Sequence, residues 1–420
     1  MNTAAEVPDS VADTSPTLPL LREPASGIPP IVDTPTQLKK VAARFAAADG
    51  PVAVDAERAS GFRYGQKTYL AQFKRAGAGI ALIDTAALDD LSPLAEALAE
   101  AEWVLHAASQ DLPGLRDLGM HPSKVFDTEL AARLLGWPKV GLAAVVEREL
   151  EVRLAKEHSA QDWSRRPLPE SWLAYAALDV EVLLDLRASL VAHLTQAGKL
   201  EWAEQESEHV RTMPAPAPKP DPWRRVSGTH SVKNPRQLGI VKELWKARDA
   251  RAQAEDISPG RLLRDAAIIA AATAQPTSVK ELLGLKEFRS RGAKKYAREW
   301  NTAIAKAQKL PDSALPDRRG PRTDGPPAPR MWKERNPEAA TRLHAARSCI
   351  TALSEAHEVP PENLLQPDAL RRLCWENPGT DTPSVEAFLA SRGARLWQRE
   401  LVSAPLAEAL TKAAQSAPED

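Results

Sequence analysis

The sequence predicts an α/β domain with a mixed sheet, followed by two all-helical bundles that repeat one another. Three observations carry this reading. Between residues 29 and 213 short apolar strands alternate with amphipathic helices. After residue 233 the strand patterns stop. Within the helical half, "SRGAKKYAREW" from Ser290 and "SRGARLWQREL" from Ser391 stand 101 residues apart, and "ISPGRLL" from Ile257 and "VPPENLL" from Val359 stand 102 apart. Two matches at nearly one offset are what an internal duplication leaves.

The elements follow in order. Residues 1–28 have neither the basic nor the apolar region of a signal peptide and read as a disordered tail. "PVAVDAE", "TYLAQFK" and "GIALID" are strands, "LSPLAEALAEA" a helix and "WVLHAAS" a short buried strand. "DLPGLRDLG", "TELAARLLG" and "GLAAVVEREL" are helical, and "PESWLAYAALDVEVLLDLRASLVAHL" predicts one long helix with Pro169 in its first turn. The α/β domain therefore spans 29–213, and a Pro-rich linker spans 214–233. The first bundle occupies 234–312, a second Pro-rich linker 313–329, and the second bundle 330–415.

Composition narrows the function. The two cysteines, Cys349 and Cys374, make neither a disulfide framework nor a CxxC zinc site, which fits a reducing cytoplasm. No apolar run is long enough to span a membrane. The net charge of -1 hides an asymmetry: residues 1–213 carry 21 basic and 31 acidic side chains, 214–330 carry 24 and 12, and 331–420 carry 10 and 13. An acidic front and a basic middle fit a metal-using site followed by a contact with a polyanion.

The candidate chemistry begins at "VAVDAE". Residues i and i+2 of a strand share a face, so Asp55 and Glu57 project together. Side by side they repel unless a cation holds them. Asp111 follows the strand "WVLH" at the start of a helix, where capping is the ordinary role of an aspartate. Tyr175 and Asp179 lie four apart on one helix face, where a plain Tyr–Asp hydrogen bond is the bland alternative. If the four acids converge at one sheet edge, they suit two hard divalent cations. Such ions, roughly 3.5–4 Å apart, suit in-line phosphodiester hydrolysis.

The ordered set "VDAE", "HAASQD" and "YAALD" resembles motifs I, II and III of the DEDD exonuclease superfamily, in the subgroup with tyrosine in the third motif. "ALIDTAAL", "SAQDWSRRPL" and "YAALDVEVLLDL" are similar to ribonuclease D, and the segment from "ARDARAQAED" to "VKELLGL" resembles the HRDC domain which that family shares with RecQ-type helicases. The resemblance implies an RNase H-like fold, two Mg2+ or Mn2+ ions, and 3′→5′ hydrolysis of RNA to nucleoside monophosphates, with tRNA 3′ ends a typical substrate. It makes Asp55, Glu57, Asp111 and Asp179 the metal ligands and gives Tyr175 the task of positioning the attacking water. Asp162 and Trp163 match as loop stabilisers. Asp127 reads as a helix cap, with support of the site's ligands as the alternative, and His106 as a filler of the strand end. The second bundle departs from a good HRDC pattern.

In the basic stretch "KEFRSRGAKKYAREW", Arg289, Arg291, Lys294 and Lys295 are candidates for phosphate contact, with Phe288, Tyr296 and Trp300 mainly in the core. "GFRYGQKT" fails the spacing of a Walker A loop, so ATP is not expected. The reading is a 3′→5′ exoribonuclease. Its rivals are a DNA exonuclease, since acids acting on phosphate do not select the sugar, and a non-catalytic nucleic-acid-binding protein. Truncation after residue 213 is expected to spare hydrolysis of short unstructured RNA.

Overall fold

The computed structural model describes residues 18–155, 158, 160–215, 217, 219–320 and 324–415. Among them are eight strands: β1 Leu20–Leu21, β2 Ile31–Val32, β3 Val52–Arg58, β4 Thr68–Arg75, β5 Gly79–Ile83, β6 Glu102–Leu105, β7 Lys124–Asp127 and β8 Arg153–Leu154. Six form one sheet in the order β2-β5-β4-β3-β6-β7. The neighbours β3, β4 and β5 pair antiparallel, whereas β2, β6 and β7 join in parallel, so the sheet is mixed as expected.

Period-two alternation sets what β3 shows to each side. Val52, Val54 and Ala56 enter the core that packs helix Pro35–Ala46 and Trp103 on one face. Ala53 enters the core under helices Glu170–Glu181 and Leu183–Gln196 on the other. By the same alternation Asp55 and Glu57 follow Ala53 onto the face of those helices. At the end of β3 the register with β4 shifts between Glu57 and Arg58, a bulge that closes the ladder beside the acids.

Four expectations need correction. The predicted long helix is two, broken at Val182. There Lys74 of β4 donates from Nζ to the Glu181 carbonyl at 2.6 Å, a long-range contact that no local pattern encodes. Pro169 stands before the helix as an extended cap residue rather than in its first turn. The predicted tail is ordered over residues 18–28, because β1 pairs with β8 and Leu21 packs on the core; residues 1–17 lie outside the described residues. The first linker ends early, since Trp223, Val226 and Val232 are buried in the core of the first bundle.

The duplication is visible helix by helix. Helices Pro235–Glu255, Pro259–Leu262 and Asp265–Ala274 recur as Pro337–His357, Pro361–Leu364 and Pro367–Glu376, each with the same length and an offset of 102. Asn234 and Asn336 cap the first helix of each set, and each ends at a left-handed residue, Asp256 with φ 48° and Glu358 with φ 50°. Both bundles then turn the segment after that residue toward the α/β domain. In the first, Ser258 N–H donates to the Phe62 carbonyl at 2.9 Å, Arg261 Nε to the Gly61 carbonyl at 2.8 Å, and the Tyr64 hydroxyl to Asp249 at 3.2 Å. In the second, Val359, Leu364 and Trp397 are themselves members of the core under β3. The described residues contain no helix long and apolar enough to cross a membrane.

Candidate active site

The acids meet where the alternation of β3 leads them. Carboxylate oxygens of Asp55, Glu57 and Asp179 lie within 4.8 Å of one another. Glu57 is 8% exposed and Asp111 7%, so water does little to screen them. Burial raises the Asp55 pKa to about 6, with the Ala56 backbone and the Arg58 guanidinium pulling the other way. Burial, then the charges of Asp55, Asp179 and Asp111, hold Glu57 well above the carboxylate range. Asp179 is likewise raised by burial and by Asp55, against a hydrogen bond from Tyr175. Acids that resist ionisation together form a site that a hard cation would discharge.

Asp111 does not take the ordinary capping role. It stands at the position before helix Leu112–Asp117 but its side chain makes no capping bond. Its carboxylate turns instead toward the cleft, where Arg58 NH2 lies 3.6 Å from Oδ1. Burial, then the charge of Asp55, raises its pKa; Arg58 opposes them.

Asp127 caps helix Thr128–Leu134, accepting from the Glu129 and Leu130 N–H groups. It also accepts from Ala107 N–H at 3.1 Å and Ala108 N–H at 2.8 Å. Ala107 has φ 60°, a conformation costly for a residue with a side chain, and these bonds hold it there. The segment so fixed, residues 107–110, is the one that delivers Asp111. Capping and site support are thus one role. Burial raises the Asp127 pKa to about 6 in spite of four backbone donors.

Tyr175 lies one turn before Asp179 on helix Glu170–Glu181, and the two share a hydrogen bond. Burial, then the charges of Asp179, Glu57 and Asp55, push its phenol above the ordinary value. Trp163, fully buried, lies 6.4 Å from its ring, and His158 meets it edge-on at 6.2 Å. Asp162 accepts from Ser164 N–H and Oγ, so Asp162 and Trp163 both serve the loop that frames Tyr175. His106 lines the cleft with Nδ1 2.9 Å from Thr128 Oγ1, and burial lowers its pKa to about 4.

The cleft encloses about 910 Å3, and Asp55, Glu57, Arg58, Asp111, Tyr175 and Asp179 all line it. The sequence reading missed Arg58, the only lysine or arginine in its lining among the described residues, because an arginine after a D-x-E pair has no motif to flag it. It also missed Phe62, which lines the same cleft from the loop after β3. The four basic candidates are elsewhere, on the first bundle. Arg289, Arg291 and Lys294 are exposed and, among the described residues, make no ion pair, whereas Lys295 lies 3.5 Å from Glu255.

Comparison with known proteins bears on this geometry. A family model described as a 3′–5′ exonuclease matches residues 29–195, and an HRDC domain model matches 237–304. A model described as a 3′ to 5′ exonuclease C-terminal domain matches 325–410, the second bundle. Ribonuclease D of Acidiphilium cryptum is 30% identical over 394 residues, covering 90% of this chain and 98% of the relative. A solved protein structure from Bifidobacterium adolescentis superposes with a TM-score of 0.86 at 38% identity, covering 94% of this chain and all of the other. The crystal structure of Escherichia coli RNase D, an exoribonuclease involved in structured RNA processing, gives a TM-score of 0.65 at 26% identity over 93% of this chain and 99% of its own. With the order of domains and the mixed sheet in agreement, the chain belongs to the ribonuclease D family of 3′→5′ exonucleases.

Proposed function

We propose that this protein removes nucleoside monophosphates from RNA 3′ ends by hydrolysis supported by two divalent cations, Mg2+ or Mn2+, and that structured RNAs such as tRNA precursors are among its substrates. One observation carries the reading: Asp55, Glu57 and Asp179 present oxygens within 4.8 Å of one another in a cleft that Asp111 also lines. A donor set made only of carboxylates fits hard divalent cations.

Asp55, Glu57, Asp111 and Asp179 would hold the cations. Bound there, divalent cations supply a water of lowered pKa and a counter-charge for the leaving oxygen. Tyr175 keeps its proton, so its hydroxyl, fixed by Asp179, aims the water through a hydrogen bond. Arg289, Arg291 and Lys294 would take phosphates of the incoming strand. Gly292 supports that placement: a Cβ there would lie 2.4 Å from the Arg261 carbonyl, so only glycine lets this basic helix pack on the turn that grips the loop of the cleft.

The test is purified protein with Mg2+ on 3′-labelled single-stranded RNA and DNA of equal sequence, with and without chelator. RNA should be shortened from its 3′ end, and EDTA should abolish the reaction. Asp55→Asn should abolish it too. Without cations this exchange should raise thermal stability at pH 8. The raised pKa means that Asp55 contributes stability fully present below the unfolded value of 3.8 and lost as pH rises through about 6. Full activity in chelator, or an Asp55→Asn protein that still degrades RNA, rejects the cation-dependent mechanism.

A further inference from the structure

Phe62 stands outside the acid cluster, yet it lines the same cleft. It is half-buried, and the Arg261 guanidinium lies over its ring, 3.9 Å from the centroid. Arg261 belongs to the first helical bundle, so one side chain of the cleft wall is backed by a residue some two hundred positions away. The loop that carries Phe62 is gripped along its length. Ser258 N–H and Arg261 Nε hold the carbonyls of Phe62 and Gly61, Asp256 accepts from Tyr64 N–H at 3.2 Å, and Arg63 Nε reaches Ser164 Oγ at 2.7 Å. An aromatic ring so held inside a nucleic-acid cleft has the properties of a stacking surface. It is flat, its orientation is fixed, and its π face carries no preference among bases.

We propose that Phe62, backed by Arg261, is a base-stacking platform for one of the last nucleotides of the strand whose 3′ end lies at the acids. This site is shared between the exonuclease domain and the first bundle. It rests on the reading of the cleft as an exoribonuclease site, and it adds to the bundle a role in the cleft itself, besides that of its exposed basic residues. Stacking holds a base wherever the phosphate contacts put the backbone, so the platform acts on substrate affinity more than on the chemical step.

The test uses the full chain and a short unstructured RNA carrying 2-aminopurine at each of its last three positions in turn. Phe62→Ala should raise KM by roughly 5- to 150-fold, the range of one base–aromatic stack, with kcat within about threefold. Phe62→Trp should keep the wild-type KM, and Phe62→Leu, which restores bulk without a π face, should not. Arg261→Ala should give a smaller rise in KM. At one of the three positions the quenching of 2-aminopurine seen on wild-type protein should vanish with Phe62→Ala. RNA that is abasic at that position should bind wild type and Phe62→Ala alike. The platform is overturned if Phe62→Leu matches Phe62→Trp, or if no position loses quenching. Wild-type protein that quenches the probe but leaves the RNA intact would instead overturn the hydrolytic reading and spare the platform.

Discussion

Residues 256–262 and 358–364 are one turn used twice, and the two copies meet the exonuclease domain through opposite chemistries. In the first copy the contacts are polar. Asp256, Ser258 and Arg261 bond to the backbone of the loop 61–64, and Ile257 remains partly exposed. In the second, Val359 takes the place of Ile257 and is 2% exposed, inside the exonuclease core. Pro360 replaces Ser258 and so has no N–H to donate. Around this apolar contact Trp397 stacks on Trp202 at 4.7 Å, while Arg395 makes two 2.6 Å bonds to Glu206. Lys199 Nζ donates to the carbonyls of Leu134 and His357 at 2.8 and 2.7 Å. Even the backbone approaches closely: a Cβ on Gly136 would lie 2.4 Å from the Glu358 carbonyl. The same fold thus serves as a polar clamp on the cleft wall in one place and as a piece of the core in the other. What a turn offers outward, not its shape, decides which.

Three changes sharpen that contrast, the largest first. Trp397→Ala opens a cavity in a core shared by two units and is expected to cost about 3–5 kcal/mol. Urea unfolding followed by tryptophan fluorescence and by circular dichroism should show one earlier transition in both signals. Two transitions, only one of them shifted, would mean that the bundle docks as a separate body. Arg395→Ala takes the cation from Glu206, which is 4% exposed and keeps a bond from Trp397 Nε1, and should cost about 3 kcal/mol by the same measurement. A loss below about 1 kcal/mol would reduce the pair to a surface contact. Ser258→Pro converts the first turn to the residue of the second. With φ -54° at Ser258 and -52° at Pro360 the exchange suits the backbone and deletes one donor. It should leave the melting temperature within about 2 °C, since a single hydrogen bond nets only about 1 kcal/mol. Hydrogen exchange should speed up in residues 60–66 and remain unchanged in 357–365. Equal acceleration at both turns would refute the independence of the two contacts.

Much of the geometry of the acid cluster is legible because it is local. Alternation alone puts Asp55 beside Glu57, and one helical turn puts Tyr175 beside Asp179. The duplication was legible from two short matches, since caps and turns keep their spacing when a segment is copied. Contacts between distant segments were not legible. Nothing near Val182 announces that Lys74 will claim a carbonyl there, and nothing in "LL" at 20–21 names residues 153–154 as partners. Asp127 is the cap its position suggests; its second pair of donors comes from the segment that follows the neighbouring strand β6. The largest departure concerns autonomy. Truncation after residue 213 was expected to spare hydrolysis of short RNA, but it removes Val359, Leu364 and Trp397 from the core under β3. Residues 29–213 are therefore not a unit whose interior is complete.

That incomplete interior has a consequence in time. The exonuclease residues of the shared core end at Ala203, and its last member is Trp397. At ~5–20 residues per second, a ribosome needs roughly 10–40 s to cover that distance. Throughout that interval the sheet with its four acids is already made, while the surface that awaits Val359, Leu364 and Trp397 stays uncovered. The first bundle emerges in between and has a core of its own, so it has time to fold and grip the loop at Phe62 before the second bundle arrives. A later segment completes an earlier domain, and the nuclease matures only after Trp397 has been made.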